Sequence, residues 1–253
     1  MNWRIAAASV VGSSHLVRNT ECQDDCYASE EKTLQGQSIL GIFVADGAGS
    51  AEYGGEGARK ATETAATFFS NGIARESIAL GAEHLKECAM AVRKAIAEAA
   101  EQISKTPRDF ACTFLGVLVS DSQTVAIQIG DGGIVVDVGN GLEVAVVPMG
   151  GEYANMTHFI TDEDALNLLV VKVFDKPATR VAAFSDGIQR LALNMAENTP
   201  YEPFFSPFFD VLAKSSSDQR DSLTAALDGY LQSELINSRT DDDKTLAIAV
   251  KVT

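Results

Sequence analysis

The apolar pattern of this chain changes period in grouped blocks, and that grouping constrains the fold more than any other feature. Residues 3–11 alternate as a strand does, and residues 38–45 (SILGIFVA) form a short apolar run, consistent with a buried strand, that stops at Asp46-Gly47. Two helical patterns follow, an Ala-rich one over residues 56–69 and a longer one over 77–103 that is interrupted near Gly81. From Ala111 the period shortens. Residues 112–119, 124–129, 133–138 and 142–147 read as four strands separated by Asp121-Ser122, Asp131-Gly132-Gly133 and Gly139-Asn140-Gly141, a spacing that predicts an antiparallel meander. Residues 150–164 form a polar excursion. Strands return at 168–174 and 179–184, the second ending at Ser185-Asp186-Gly187. Residues 205–231 are mostly helical, and 245–252 (TLAIAVKV) close the chain as a strand. Helices gathered away from runs of strands indicate an α+β fold with a largely antiparallel sheet, because a doubly wound parallel sheet needs strand and helix to alternate. With 253 residues, six prolines, no internal repeat and no linker-like stretch, the expectation is one domain spanning 1–253.

Charge and composition exclude several function classes. The formal net charge is −15, so the surface repels a phosphate backbone and general nucleic-acid binding is disfavoured. A phosphorylated substrate remains compatible, because bound cations reverse the field locally. No apolar run reaches the 18 or so residues of a membrane span. The N-terminal apolar run is short and lacks a cleavage site, so it reads as a first strand and not as a signal peptide. Cys22, Cys26, Cys88 and Cys112 complete no zinc-ligand pattern and read as free thiols in a reducing cytosol.

Three aspartates recur in one local setting. Asp46 follows the apolar run at 42–45 and precedes Gly47; Asp186 follows residues 181–185 and precedes Gly187; Asp242 sits just before the closing strand. Each strand end carries a carboxylate to the rim of a sheet, and a glycine directly after it permits a sharp turn. A single Asp-Gly after a strand is an ordinary turn; the combination is what signals a site. Carboxylates gathered at one rim repel one another unless cations neutralise them. Hard, oxygen-preferring divalent ions suit this set better than zinc, since no histidine cluster accompanies it.

The distributed motifs resemble the protein phosphatase 2C family of metal-dependent Ser/Thr phosphatases, most closely its bacterial branch. Gly12-Ser13-Ser14-His15 with Cys22-Gln23-Asp24 resembles the opening motif, and Val44-Ala45-Asp46-Gly47-Ala48-Gly49 with Gly54-Gly55-Glu56 the second. Cys112-Thr113-Phe114 and Ile129-Gly130-Asp131-Gly132 resemble the central pair, and Phe184-Ser185-Asp186-Gly187 the late motif. Asp242-Asp243-Lys244-Thr245 resembles the closing Asp-Asn-x-Thr, with Asp243 in place of Asn. The resemblance implies a four-layer α-β-β-α sandwich of two antiparallel sheets with helices outside. It implies catalysis by two Mg2+ or Mn2+ ions, with a weaker third. Asp46 would bridge the two ions, Gly47 would offer its backbone carbonyl, and Asp186 and Asp242 would serve the ion on the other side. Asp24 would act from the outer shell, and Asp131, with Asp186, would hold the third ion. Such ions make hydroxide available near neutral pH and offset charge at phosphorus, so no phosphoenzyme is needed.

The resemblance further implies a phosphorylated protein substrate, a cytoplasmic setting and a Ser/Thr kinase as the opposing enzyme, with no nucleic acid or membrane as partner. Where animal members carry a histidine after the metal-binding Asp-Gly, this chain has Ala48. His15 is expected to make a structural hydrogen bond, and His84, on a helical pattern, to lie at the surface. Arg18 is the nearest candidate for a phosphate-gripping arginine, although its offset from Asp24 is not a clean match. Residues 149–164 correspond to the flap of bacterial members. The rival readings are an inactive phosphatase-like scaffold that binds phosphoproteins and a different metal hydrolase such as a nuclease.

Overall fold

A computed structural model describes residues 3–75, 81–146 and 157–252. In chain order the elements are β1 (Trp3–Val10), α1 (Ser13–Arg18), β2 (Asp24–Lys32), β3 (Ser38–Asp46), α2 (Gly54–Arg75), α3 (Ala82–Gln102), β4 (Phe114–Val119), β5 (Thr124–Ile129), β6 (Gly133–Asp137) and β7 (Leu142–Val144). They continue with α4 (Ala165–Leu168), β8 (Val170–Phe174), β9 (Arg180–Phe184), α5 (Asp186–Ala192), β10 (Leu193–Asn194), β11 (Thr199–Pro200), α6 (Glu202–Lys214), α7 (Arg220–Leu231), α8 (Glu234–Asn237) and β12 (Lys244–Lys251). One five-stranded sheet runs β1-β12-β9-β6-β7 and the other β2-β3-β4-β5-β8. Every pairing within both sheets is antiparallel.

Side-chain alternation along the strands builds four layers. Leu40, Ile42 and Val44 of β3 join Ile134, Val136, Val181 and Ala247 in a core between the sheets. The intervening Ile39, Phe43 and Ala45 point the other way, onto Phe69 of α2 and Leu85, Val92 and Ile96 of α3. On the far side, Ala6, Ala8, Ala182, Phe184 and Ile248 pack under Ile188 of α5, Phe205 and Phe209 of α6 and Leu227 of α7. The order is helices, sheet, sheet, helices, the expected α-β-β-α sandwich. It explains why β3 and β12 read as continuous apolar runs: both faces of these strands are covered, so polar residues gain nothing from alternating.

Two expectations need correction. The strands from 112 to 144 do not form one meander. β4 pairs with β5 and β6 with β7, but β5 and β6 lie in different sheets, β5 going on to pair with β8 and β6 with β9. The chain crosses between sheets at Gly130-Asp131-Gly132, where both glycines take positive φ (95° and 87°), a corner geometry that side-chain-bearing residues adopt at a cost. His84 is buried, not at the surface: its ring packs against that of Phe68, at 4.9 Å between centroids, and over Gly72. The long helix α3 turns one face to α2, and His84 falls on it. The flap expected at 149–164 lies outside the described residues up to 156. Its remainder, 157–164, is a turn-rich segment leading into α4.

Candidate metal centre

All the strand-end aspartates converge at one end of the sandwich because antiparallel pairing brings the start of one strand beside the end of the next. Asp46 is the last residue of β3 and lies opposite Asp24, the first of β2. Asp131 occupies the corner between β5 and β6, Asp186 opens α5 directly after β9, and Asp242 precedes β12, the neighbour of β9. A cavity of about 400 Å³ opens there, lined by Asp46, Gly47, Asp131, Asp186, Asp242 and Arg18, among others.

Within it, carboxylate oxygens of Asp46, Asp131 and Asp186, all half-buried, lie within 4.8 Å of one another. One hard cation can touch all three at such separations. Asp242 lines the same cavity but is exposed at its rim and stands outside that cluster of three, its Oδ1 accepting the N–H of Asp243 at 2.9 Å. Arg18 is exposed on α1 and lines the same cavity. Asp24 lies beneath the floor. Its Oδ2 accepts from the hydroxyls of Ser185 (2.6 Å) and Thr245 (2.9 Å), while its buried Oδ1 has no partner among the described residues. Asp46 is held by its backbone: its N–H donates to the Thr113 hydroxyl at 3.0 Å, and Thr113 N–H donates to its carbonyl at 2.8 Å. Gly47 N–H donates to the carbonyl of Gln23 at 3.0 Å.

The electrostatics fit a cation. Burial, then the charges of Asp24 and Asp186, push the Asp46 carboxyl well above the usual range. Burial and then the charges of Asp131 and Asp242 raise Asp186 to about 6. Asp24 rises to about 7, chiefly through burial, against the lowering effect of its Ser185 and Thr245 hydrogen bonds. Among the described residues no ion pair joins Asp24, Asp46, Asp131, Asp186 or Asp242 to a basic side chain. A rim of carboxylates without counter-charge, one of them with an orphaned buried oxygen, is an arrangement that divalent ions relieve.

Sequence reasoning missed several residues of this region. Ser185, Thr113 and Thr157 hold Asp24, Asp46 and Asp131 respectively, the Thr157 hydroxyl donating to Asp131 Oδ2 at 2.8 Å. The sequence marks Ser185 only as the neighbour of Asp186 and Thr113 only as part of the Cys112-Thr113-Phe114 motif, and nothing marks Thr157. Asp243 and His15 also meet here, at 2.8 Å between Oδ2 and Nδ1, which gives His15 the structural hydrogen bond expected of it. The four cysteines are free; burial pushes the thiols of Cys26 and Cys88 up to about 12, so they are not nucleophiles near neutral pH.

The sequence profile of the protein phosphatase 2C family matches residues 11–232, and the chain belongs to that family. The match stops short of Asp242, so the closing loop joins the site on the evidence of the structure. The chain is 47% identical over 250 residues to serine/threonine-protein phosphatase 3 of Escherichia coli (strain K12), covering 99% of each. A bacterial serine phosphatase superposes with a TM-score of 0.62 at 13% identity, over 98% of this chain and 97% of the other. The catalytic domain of the serine/threonine protein phosphatase PstP, solved in complex with two manganese ions, superposes with a TM-score of 0.60 at 17% identity over 99% of both. At those identities the two structures establish the shared fold.

Proposed function

We propose that this chain is a single catalytic domain that hydrolyses phosphoserine and phosphothreonine in proteins, using two Mg2+ or Mn2+ ions held by Asp46, Asp186 and Asp242. The observation that carries the reading is the trio Asp46, Asp131 and Asp186, with oxygens within 4.8 Å and no basic ion-pair partner among the described residues, lining an open cavity. The 47% identical relative is named as a serine/threonine-protein phosphatase, which supports the same substrate class.

The chain's own residues divide the work. Asp46, the most centrally placed carboxylate, feels the charges of Asp24, Asp131 and Asp186 and is suited to touch two ions at once. Gly47 offers a backbone carbonyl beside it. Asp186 and, from the rim, Asp242 would hold the second ion, and Asp131 with Asp186 a weaker third. Asp24 would act from the outer shell, beneath the cavity, where its Oδ1 has no hydrogen-bond partner among the described residues. Arg18, exposed at the rim, can reach a phosphoryl oxygen of the substrate. When bound, the ions supply Lewis acidity, activating water near neutral pH and offsetting charge at phosphorus. The excess of acidic residues, with Arg18 and His15 the only basic side chains among the described residues that line the cavity, disfavours a nuclease. Among the described residues no helix is long and apolar enough to cross a membrane. A cytoplasmic setting opposite a Ser/Thr kinase is the context this activity suits.

The test is hydrolysis of p-nitrophenyl phosphate and of phosphoserine and phosphothreonine peptides with Mn2+ or Mg2+. EDTA abolishes the activity, and Asp46→Asn lowers kcat by about 100-fold or more, the scale for losing a central charge-stabilising group. Full turnover in EDTA would refute the reading.

A further inference from the structure

Asp243 is buried at 2% exposure and makes more directed contacts than any of the cavity aspartates. Its Oδ1 accepts the N–H of Gly12 at 2.6 Å, and its Oδ2 accepts the N–H of Gln23 at 2.6 Å and faces His15 Nδ1 at 2.8 Å. Because a carboxylate brings no proton, the imidazole donates here, and both oxygens are spent as acceptors. These contacts tie together three stretches of chain that each lead to the metal centre. Gln23 holds Gly47 through its carbonyl and is followed by Asp24. Asp243's own N–H fixes the Asp242 carboxylate. The Gly12–His15 turn is tied back a second time, by Ser14 N–H to the Asp241 carbonyl at 2.9 Å.

We propose that Asp243 and His15 form a positioning pair, a buried carboxylate–imidazole clamp that sets where Gly47, Asp24 and Asp242 stand around the cations. The inference rests on the metal-centre reading above and adds to it that the clamp requires a carboxylate. An asparagine at 243 has one acceptor oxygen and one NH2 group. Whichever way its amide is turned, the NH2 meets a backbone N–H, that of Gly12 or that of Gln23, and one of those buried donors loses its acceptor. Asparagine, the residue that the family resemblance leads one to expect at this position, is therefore wrong in this chain. His15 matters as a donor, and its removal leaves one lone pair of Oδ2 unpaired.

The experiment uses the full chain with Asp243→Asn, His15→Leu, His15→Asn and the double variant Asp243→Asn/His15→Leu. Mn2+ affinity is read by calorimetry, and melting is read in EDTA. Asp243→Asn and His15→Leu each weaken Mn2+ binding by about 10-fold or more, as loss of a ligand-orienting group does. Saturating Mn2+ restores most of kcat on p-nitrophenyl phosphate. His15→Asn, which keeps an N–H near the Nδ1 position, recovers affinity relative to His15→Leu. In EDTA the double variant loses less than the two single losses added, because Asp243→Asn already weakens the charge-assisted bond that His15→Leu removes. Lowered melting with unchanged Mn2+ affinity would reduce the pair to a purely structural role and overturn the proposal, as would additive losses in EDTA. If the wild-type chain itself bound no Mn2+, the metal-centre reading would fail, and the pairing of Asp243 with His15 would then be decided by the EDTA melts alone.

Discussion

Replacing Asp24 by asparagine is expected to make the metal-free protein more stable at pH 8 relative to wild type, and the structure sets the size of the effect. Asp24 is buried, its carboxyl raised from 3.8 to about 7. Between about pH 4 and pH 7 the folded, metal-free chain holds at Asp24 a proton that the unfolded chain has already released. Its contribution to stability is thus fully present below pH 4 and is lost as pH rises through 7. Raising the carboxyl from 3.8 to about 7 corresponds to about 4 kcal/mol, and to about half of that where Asp46 shares the proton. Asparagine keeps the acceptor for Ser185 and Thr245, turns its NH2 toward Asp46 and does not titrate. Urea denaturation of both proteins in EDTA from pH 4.5 to 8 isolates the term, because the surface carboxylates cancel in the difference. The expected change in relative stability is about 2 to 4 kcal/mol in favour of Asp24→Asn toward high pH. Saturating Mn2+ removes the wild-type penalty, since cations replace the proton. A stability difference that is flat with pH in EDTA would refute the reasoning about a buried, uncompensated carboxylate.

Three other substitutions probe the surroundings. A Cβ at Gly187 would lie 1.8 Å from the Asp243 carbonyl oxygen, so Gly187→Ala must push the closing loop aside; a loss of about 1–3 kcal/mol in urea titration and weaker Mn2+ binding are expected. Lys244 is fully buried and its ammonium donates to Asn237 Oδ1 at 2.9 Å and reaches the carbonyls of Asp242 and Val11; Lys244→Met keeps the volume but strands those acceptors, for a loss of about 1–3 kcal/mol in the same titration. Arg18→Ala should raise KM for phosphopeptides about fivefold, the scale of an exposed charge contact near 1 kcal/mol, while leaving Mn2+ affinity unchanged by calorimetry.

What could be read in the sequence follows from what local pattern records. β3 and β12 announce themselves because both faces are covered and the whole run is apolar. β2 does not: it is an edge strand carrying Asp24, Asp25, Glu30, Glu31 and Lys32, a polar composition that hides its period. The split of the central strands between two sheets is equally hidden, since a glycine corner and a hairpin turn use the same residues. In the site, Asp46 and Asp186 are legible because each ends a strand beside a glycine, and Asp131 through the Ile129-Gly130-Asp131-Gly132 motif that carries the family resemblance. Asp242 precedes a strand and has no glycine beside it, and the structure leaves it at the rim, because the Asp241–Asp243 loop is fastened through Asp243. The Asp243–His15 contact joins residues 228 positions apart, and no local spacing carries it. His84 illustrates the reverse error: helical spacing places it on a face but does not say which face is covered.

The most direct test is the anomalous diffraction of manganese in crystals grown with Mn2+. Two peaks inside the cavity, with the Asp46 carboxylate in contact with both and Asp186 and Asp242 at the second, are the predicted result. A cavity with no manganese at full Mn2+ saturation, or ions bound only elsewhere on the acidic surface, would contradict the claim that these carboxylates are a cation cage.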